Sequence, residues 1–309
     1  MLVLRGLERF PADLGGSVVA LGTFDGVHRG HQEVLHRTVE RARELGLTAL
    51  AVTFDPHPLE ILRPDRAPTP IAGLEEKTEL MALTQLDALL VIPFTREFSL
   101  MEAEEFVAKV LRGTLKAREV VVGFNHRFGK DARGTSELMA RLARERGFVA
   151  HIIPPLILDG QIVSSSAIRE ALKAGDVRRA RSLLGRPYAV TGRVLRGDER
   201  GRTIGFPTAN LRPERALPLA QGVYAVRAEW EGERADGVTN IGYRPTFGGS
   251  TLWIETYLLD FQGDLYDRVL KLAFVERIRA EQRFENVEAL KKGIARDIEI
   301  ARKVLVQSS

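Results

Sequence analysis

Two histidines three residues apart follow a short apolar run near the N-terminus. His28 and His31 belong to the sequence G-T-F-D-G-V-H-R-G-H, residues 22–31, which runs from a predicted strand through a glycine-rich turn into a predicted helix. At the first turn of that helix both imidazoles can face one ligand, and Gly30 between them lets the backbone approach it closely. Free amides and the positive end of the helix attract anions. The stretch therefore predicts a phosphate site.

The chemistry that suits this stretch is attack on an α-phosphate. The two imidazoles and the helix end would stabilise charge on the equatorial oxygens and on departing pyrophosphate, without a covalent intermediate. Two other interpretations stay open, because the histidines could be ordinary surface or capping residues or could bind zinc. Helical zinc pairs are usually spaced by four with a glutamate beside the first histidine, where Arg29 stands here, so zinc is disfavoured.

A second glycine-rich segment, residues 192–210, reads G-R-V-L-R-G-D-E-R-G-R-T-I-G-F-P-T-A-N. It lacks the G-K-[ST] of a Walker loop and its surroundings are predicted strands, so phosphates would have to be held by another kind of arch. The glycines permit tight turns near a nucleotide, and Pro207 fixes the chain that enters Thr208 and Asn210. In an extended chain these two side chains share one side and present oxygen ligands that suit magnesium. A plain hairpin is the alternative interpretation.

The first half of the chain alternates short apolar runs with amphipathic stretches of helical length. This alternation predicts a doubly wound parallel sheet covered by helices, a Rossmann-like arrangement, with its ligand crevice at the carboxyl ends of the strands. The predicted strands are 18–21, 49–54, 88–92, 120–122 and 149–153, and the predicted helices are 31–45, 75–86, 103–111 and 136–146.

The pattern changes near Gly185, where a short helix that Asp176 could cap comes to an end. Strand-like runs follow at 188–195, 223–229, 237–241, 252–259 and 269–274, separated by turns. They predict a small antiparallel β-barrel, and apolar positions between residues 287 and 305 predict one C-terminal helix packed on it. The predicted domains are therefore 1–185 and 186–309, although one large domain is the alternative.

Composition narrows the class of protein. The chain has 309 residues, of which 44% are hydrophobic, and its formal charge of +4 is too small and dispersed to predict nucleic-acid binding. The lack of cysteine excludes disulfides, thiolate metal sites and a thiol nucleophile. Neither a signal peptide nor an apolar run of membrane-spanning length is apparent. We expect a cytoplasmic protein with no membrane contact and no obligate protein partner.

The histidine run resembles the nucleotidyltransferase superfamily, and in particular the adenylyltransferase half of bacterial bifunctional riboflavin kinase/FAD synthetases. Three further segments carry the resemblance: T-F-D-P-H-P at 53–58, V-V-G-F-N-H-R-F-G-K at 121–130 and S-S-S-A-I-R at 164–169. The resemblance implies catalytic roles for His28 and His31 and a flavin contact at His57, which could equally be a turn residue between two prolines. ATP-binding roles are implied for Gly22, Phe24, Gly30, Asn125, Ser165, Ser166 and Arg169.

The segment G-R-T-I-G-F-P-T-A-N at 201–210 resembles the signature of riboflavin kinases. Agreement continues at G-V-Y-A-V (222–226), N-I-G-Y-R-P-T (240–246), Glu255 and I-R-A-E-Q-R-F (278–284). The resemblance implies that Thr208 and Asn210 bind Mg²⁺ and that Glu255 is the general base on the ribityl hydroxyl, unless it is a solvent-facing strand residue. ATP binding is implied for Gly192, Gly197, Gly201 and Arg202, and flavin binding for Asn240, Arg279 and Phe284.

Some residues depart from the family pattern or have a simpler interpretation. Thr23 stands where the family often has Asn, and Ser166-Ala167 stands where Thr-Arg is common. Residues 164–166 could be a plain capping cluster. Arg279 and Phe284 could be a helix-end charge and a core aromatic rather than flavin contacts.

The resemblance predicts a two-step reaction that needs ATP and Mg²⁺. Riboflavin would be phosphorylated to FMN in the C-terminal half, and FMN would be adenylylated to FAD, with release of pyrophosphate, in the N-terminal half. One rival function keeps the first site with another acceptor, such as a phosphopantetheine-like compound or nicotinamide mononucleotide. A rival from another class is a flavin-binding sensor that binds without turnover.

Overall fold

The computed structural model of the chain describes residues 1–11, 15–197, 200–213, 215–246 and 249–307. It contains two compact units, Met1–Ser165 and Ser166–Ser309. The first is an α/β unit, and the second consists of a β-barrel with helices.

The first unit is built on a six-stranded parallel sheet in the order β1-β4-β3-β2-β5-β8. Strand β2 is buried along its whole length, as expected for an interior parallel strand covered on both faces. Two small antiparallel pairs, β6 with β7 and β9 with β10, lie in its loops. The strands are β1 (Leu2–Arg5), β2 (Ser17–Leu21), β3 (Thr48–Asp55), β4 (Ala88–Pro93), β5 (Ala117–Gly123), β6 (Arg127–Phe128), β7 (Gly134–Thr135), β8 (Val149–Ile153), β9 (Ile157–Leu158) and β10 (Gln161–Ile162).

The predicted doubly wound parallel sheet is confirmed, and one strand is added to it. Strand β1 pairs in parallel with β4 at the edge of the sheet, yet the sequence did not indicate it. Its residues are mostly exposed, so it lacks the buried apolar run that identified the other strands.

Helices cover the sheet and place its functional turn. The first, α1, begins after His28 and ends at Gly46, which adopts the left-handed conformation of a helix C-cap. The predicted helix at 103–111 extends to Thr114 and takes π-helical form from Phe106 onwards. The helices of this unit are α1 (Arg29–Leu45), α2 (Pro58–Leu62), α3 (Leu74–Ala82), α4 (Arg96–Ser99), α5 (Ala103–Glu105, continued by the π-helix Phe106–Thr114) and α6 (Ser136–Glu145), with 3-10 turns at Leu7–Arg9, Pro64–Arg66 and Lys130–Ala132.

Helix α7 (Ser165–Ala174) follows, and its residues from Ser166 onwards belong to the second unit, as does α8 (Val177–Leu184). The rest of this unit is a closed antiparallel barrel in the order β11-β12-β15-β14-β13-β16, so the predicted barrel is confirmed. Its elements are β11 (Tyr188–Leu195), α9 (Arg200–Thr203), β12 (Ala209–Pro213), β13 (Gly222–Trp230), β14 (Glu233–Thr246), β15 (Gly249–Leu258), β16 (Val269–Arg279) and the C-terminal helix α10 (Val287–Gln307).

Strand β12 was not among the predicted strands. Its five residues follow Pro207 directly and mix polar with apolar side chains, so only the pairing with β11 and β15 identifies it as a strand. The short helix α9 also lies where no helix was expected. Within the described residues, no helix of the chain has the length and apolar character needed to cross a membrane.

Aromatic side chains fill the interior of the barrel. Phe274 is fully buried and lies 6.0 Å from the ring of Tyr188 and 5.4 Å from that of Tyr224. The Tyr224 hydroxyl donates to the carbonyl of Ala220, and burial raises its pKa to about 12. Outside the barrel, Ala301 of α10 is buried against the strands. The barrel strands are therefore packed on both faces, against the aromatic core on the inside and against α10 on the outside.

We expect Phe274→Ala to lower the free energy of unfolding of the barrel by about 3–5 kcal/mol, because it leaves a cavity between two tyrosines. The fluorescence of Trp230 and Trp253, both in barrel strands, reports this transition in urea. Val269→Ala is the matched control on the same strand, since Val269 is 51% exposed and should change stability by no more than about 0.5 kcal/mol. Equal effects of the two variants would contradict this account of the core.

Candidate active sites

The turn between β2 and α1, residues 22–31, is here called the histidine turn. It has an unusual backbone, because Phe24, Gly26 and Val27 have φ values of 49°, 79° and 40°. For Phe and Val this left-handed region is strained, so surrounding contacts must hold the turn in place. The buried Asp25 carboxylate does so by accepting hydrogen bonds from the amides of Ile71 (3.0 Å) and Ala72 (3.3 Å).

Two glycines of the histidine turn lie in close packing, and at Gly26 the positive φ also favours glycine. A Cβ on Gly26 would lie 2.9 Å from Cγ2 of Ile71, and one on Gly30 would lie 3.3 Å from the His28 ring. Gly22 packs on the ring of Phe24, which is itself almost fully buried. The side chain of Phe24 thus supports the turn from within.

The two histidines lie together at the start of α1. His28 is the N-cap, and its Nδ1 accepts the backbone N–H of His31 at 3.2 Å. The rings are stacked, with centroids 3.6 Å apart, and Phe24 meets the His31 ring edge-on at 5.4 Å. Nδ1 of His31 is buried without a hydrogen-bond partner in the described structure. Burial, then the neighbouring His28, then Lys77 hold the pKa of His31 well below its usual value.

Lys77 was not predicted as a site residue, yet it supports the histidine turn. This α3 residue is buried, and its Nζ donates to the carbonyl oxygen of Thr23 (3.2 Å) and to Oγ1 of Thr53 (3.3 Å). Burial lowers its pKa, while Asp25, Asp55 and Glu60 oppose that change. A signal existed in the sequence, because Lys77 stands three residues after Leu74 and four before Met81 and therefore on the apolar side of the helix.

The other predicted residues of this half take varied positions. Oγ of Ser165 donates to the carbonyl of Asp25 at 3.0 Å, which brings the start of α7 to the histidine turn. Asn125 is exposed in the turn after β5. His57 is the N-cap of α2, and its Nδ1 accepts the amide N–H of Leu59 at 3.2 Å. Ser166 is exposed and Arg169 half-buried on α7, in the second unit.

The second unit has a cavity of about 580 Å³ on the α10 side of the barrel, here called the barrel cavity. It brings together most of the residues that the sequence predicted for this half. Those that line it are Gly201, Thr208, Asn210, Asn240, Glu255, Arg279 and Phe284.

Strand register explains why these residues meet. Asn210 of β12 lies opposite Glu255 of β15, and Glu255 lies opposite Asn240 of β14. Asn240 is in turn opposite Val223 of β13, which pairs with Arg279 of β16. Cross-strand partners of antiparallel strands project to the same face. One row across the barrel thus carries the amides, the carboxylate and the guanidinium into one cavity.

The backbones of Gly197 and Gly201 pack against the polar end of this row. A Cβ on Gly197 would lie 2.5 Å from Nδ2 of Asn210, and one on Gly201 would lie 3.3 Å from Oγ1 of Thr208. Nδ2 of Asn210 donates to the Thr208 carbonyl at 3.3 Å, which orients the amide. Gly192 lies within β11 and does not line the barrel cavity. The side chain of Arg202 lies outside the described residues.

The far end of the row is held by an ion pair that the sequence did not predict. Asp297 of α10 is buried and accepts three hydrogen bonds from Arg279, between 2.8 and 3.1 Å long. The Arg279 guanidinium also lies over the ring of Phe284, 5.4 Å from its centroid. A signal was again available, since Asp297 stands between Ile294 and Ala301 on the apolar side of the helix.

His126, in the loop after β5, is a half-buried histidine that was not assigned a role. Its ring stacks on Phe128 with centroids 5.7 Å apart, and its Nε2 is buried without a hydrogen-bond partner in the described structure. Burial lowers its pKa to about 4. The imidazole is therefore neutral near pH 7.

We expect histidine-selective NMR to show that His126 protonates near pH 4, with its signal identified by its loss in His126→Phe. Because the folded pKa lies below the unfolded value of about 6.5, the unfolded chain binds more protons between these two pH values. His126 therefore reduces stability as the pH falls from about 6.5 towards 4, and His126→Phe should lessen that loss. His36→Gln, at an exposed position of α1, is the control; a His126 titration near pH 6.5 would contradict the expectation.

Comparisons with known proteins agree with the geometry of both halves. The family model of FAD synthetase matches residues 10–167 and that of riboflavin kinase matches residues 184–305. A bifunctional riboflavin kinase/FMN adenylyltransferase of Pseudomonas fluorescens is 39% identical over 310 residues, covering 100% of this chain and 99% of its own. The protein described in the same words from Escherichia coli (strain K12) is 39% identical over 305 residues, covering 98% and 97%.

A solved structure is similar over nearly the whole chain. The crystal structure described as a macrolide-efflux protein from Streptococcus pneumoniae has a TM-score of 0.88 and 29% identity, and the match covers 98% of this chain and 99% of that one. Both units therefore occur in one known architecture. The chain belongs to the bifunctional riboflavin kinase/FMN adenylyltransferase family, with FMN adenylyltransferase in its N-terminal half and riboflavin kinase in its C-terminal half.

Proposed function

We propose that the barrel cavity is the riboflavin kinase site and that the histidine turn is the centre of the FMN adenylyltransferase site. The observation that carries the proposal is the placement of Asn210, Glu255 and Asn240 on three adjacent strands facing one cavity. We further propose 1–185 and 186–309 as the adenylyltransferase and kinase domains, respectively. ATP use at both sites supports a cytoplasmic location.

In the kinase reaction, Glu255 takes the proton of the primary ribityl hydroxyl of riboflavin. The hydroxyl oxygen attacks the γ-phosphorus of ATP, a new P–O bond forms, and ADP leaves with the electrons of the broken bond. The half-buried Glu255 lies next to the buried Asn210 on the neighbouring strand. The proposed base is therefore close to a proposed ligand of the Mg²⁺ that binds with ATP. FMN and ADP are the products.

The polar residues beside Glu255 fit Mg²⁺ by their chemistry. Thr208 and Asn210 offer a hydroxyl and an amide oxygen to the barrel cavity, and both are uncharged hard ligands. When bound with ATP, the ion would neutralise phosphate charge during transfer. The absence of side chains at Gly197 and Gly201 lets their backbones lie close to Asn210 and Thr208, the residues proposed to hold the ion. Asn240 contributes a second amide near the base.

In the adenylyltransferase reaction, a phosphate oxygen of FMN attacks the α-phosphorus of ATP and pyrophosphate leaves. The amides at the start of α1 and the imidazoles of His28 and His31 stabilise the charge that develops on the phosphate oxygens. A neutral His31 has one N–H to donate to such an oxygen. Ser165, Ser166 and Arg169 of α7 are proposed to hold the triphosphate, with Asn125 at the nucleotide and His57 at the flavin.

A time course with riboflavin, ATP and Mg²⁺ tests both assignments. Chromatography with fluorescence detection separates the three flavins, and we expect FMN first and FAD after it. Formation of FMN without FAD would support the kinase assignment. It would also indicate that the site at the histidine turn uses an acceptor other than FMN. Absence of conversion in both aerobic and reducing buffer would favour a binding protein.

We expect His31→Gln to slow FAD formation from supplied FMN by roughly 10²–10³-fold, because the glutamine amide does not place its N–H donor where the imidazole does. FMN formation from riboflavin should be unchanged, which the same assay measures. His36→Gln on the same helix is the matched control, since His36 is exposed outside the histidine turn. Loss of both activities in His31→Gln would contradict two separable sites.

We expect Glu255→Gln to slow FMN formation by roughly 10²–10⁴-fold, as loss of a general base does. Adenylylation of supplied FMN should continue at the wild-type rate. Glu229→Gln serves as the control because Glu229 is an exposed barrel glutamate on β13. A Glu255→Gln enzyme with near wild-type kinase activity would exclude Glu255 as the base.

A further inference from the structure

The C-terminal helix both packs on the barrel and lines the barrel cavity. Leu290, Ile294 and Asp297 of α10 all line it, at spacings of four and three residues that place them on one face of the helix. Further along, Ala301 and Leu305 are buried against the barrel. The first half of α10 therefore forms a wall of the cavity, and its second half anchors that wall.

Asp297 and Arg279 form a polar contact between this wall and the row of cavity residues on the barrel strands. The carboxylate of Asp297 is 5% exposed and binds Nε and Nη2 of Arg279, while Nη1 donates to the carbonyl of Ala280. Nε, Nη1 and Nη2 of Arg279 each donate to an acceptor within the protein, so the plane of the guanidinium is fixed. Its side chain is 23% exposed, and one face of the guanidinium lies over Phe284.

The ring of Phe284 also packs closely against α10. A Cβ on Gly293 of α10 would lie 2.6 Å from the Phe284 ring, so only glycine allows the ring to lie so close. Asp297 and Gly293 thus fix the guanidinium and the ring from the same helix. Arg279 and Phe284, one over the other, thus form a charged and partly aromatic section of the cavity wall.

The order of the barrel row indicates which substrate this wall meets. Asn210 lies one strand from Glu255 on one side, whereas Arg279 lies three strands away on the other. With strands about 4.8 Å apart, Arg279 is at most roughly 14 Å from the proposed base along the sheet. Phosphate at Asn210 and the ribityl hydroxyl at Glu255 leave the Arg279 end for the flavin ring.

We infer that Asp297 is a positioning residue for riboflavin, because it fixes the plane of Arg279 so that Arg279 and Phe284 form a flat surface for the isoalloxazine ring. The inference rests on the proposed kinase site. Planar cations and aromatic rings both stack favourably on an aromatic ligand. In this role Asp297 acts through Arg279 and does not contact riboflavin itself.

The test is Asp297→Asn in the full-length protein, which keeps the size of the side chain and removes its charge. We expect KM for riboflavin, and its Kd from quenching of riboflavin fluorescence, to rise about tenfold or more, with KM for ATP within about twofold of wild type. Asp260→Asn is the matched control. Asp260 also pairs with an α10 arginine, Arg302, through two bonds of 2.7 Å, but it is exposed and does not line the cavity.

A second variant covers the case in which Asp297→Asn does not fold, as judged by its melting curve. Gly293→Ala displaces the Phe284 ring without changing any charge, and it should raise the riboflavin constants in the same way. Unchanged riboflavin constants, or an equal rise in KM for ATP, would overturn the inference. Because riboflavin binding is measured without turnover, the result is independent of whether Glu255→Gln supports the proposed base.

Discussion

The hydrogen-bond register of β12, β15 and β14 is the constraint on which the kinase half depends. Successive residues of a strand point to opposite faces, so a slip of one residue would turn Glu255 towards the barrel interior and bring Ile254 or Thr256 to the cavity. Closure of the barrel prevents such a slip, because each of the six strands is paired on both sides. The site is therefore fixed by backbone pairing before any side chain contributes.

In the proposed sites, the two halves would bind phosphate with different backbones. In the α/β half, a strained turn leads into the N-terminal end of a long helix, and Asp25 and Lys77 hold that turn through hydrogen bonds. In the barrel half, the backbone of Gly201 lies close to Oγ1 of Thr208, and the backbone of Gly197 lies close to the amide of Asn210. Each solution requires glycine where another backbone or a ligand must come close.

Buried charges mark both sites. Lys77 donates only to uncharged oxygens, whereas Asp297 is matched by a bidentate arginine. Burying a charge is costly unless it is paired or hydrogen-bonded, so such residues are rarely placed for packing alone. Each lies on the otherwise apolar side of a helix, where it holds another part of its site in place.

The sequence by itself determined the class of each half and the glycine-rich turns, and its resemblance to riboflavin kinases pointed to seven of the residues that line the barrel cavity. It could do so because alternation of strand and helix patterns, capping and turn chemistry are local properties. Tertiary structure decided the rest. Strand β1 and strand β12 exist only through pairing with neighbours distant in sequence, and the roles of Lys77 and Asp297 depend on what their helices pack against. Long-range contacts decide these features because a short, polar or half-exposed segment has no preference strong enough to fix its own structure.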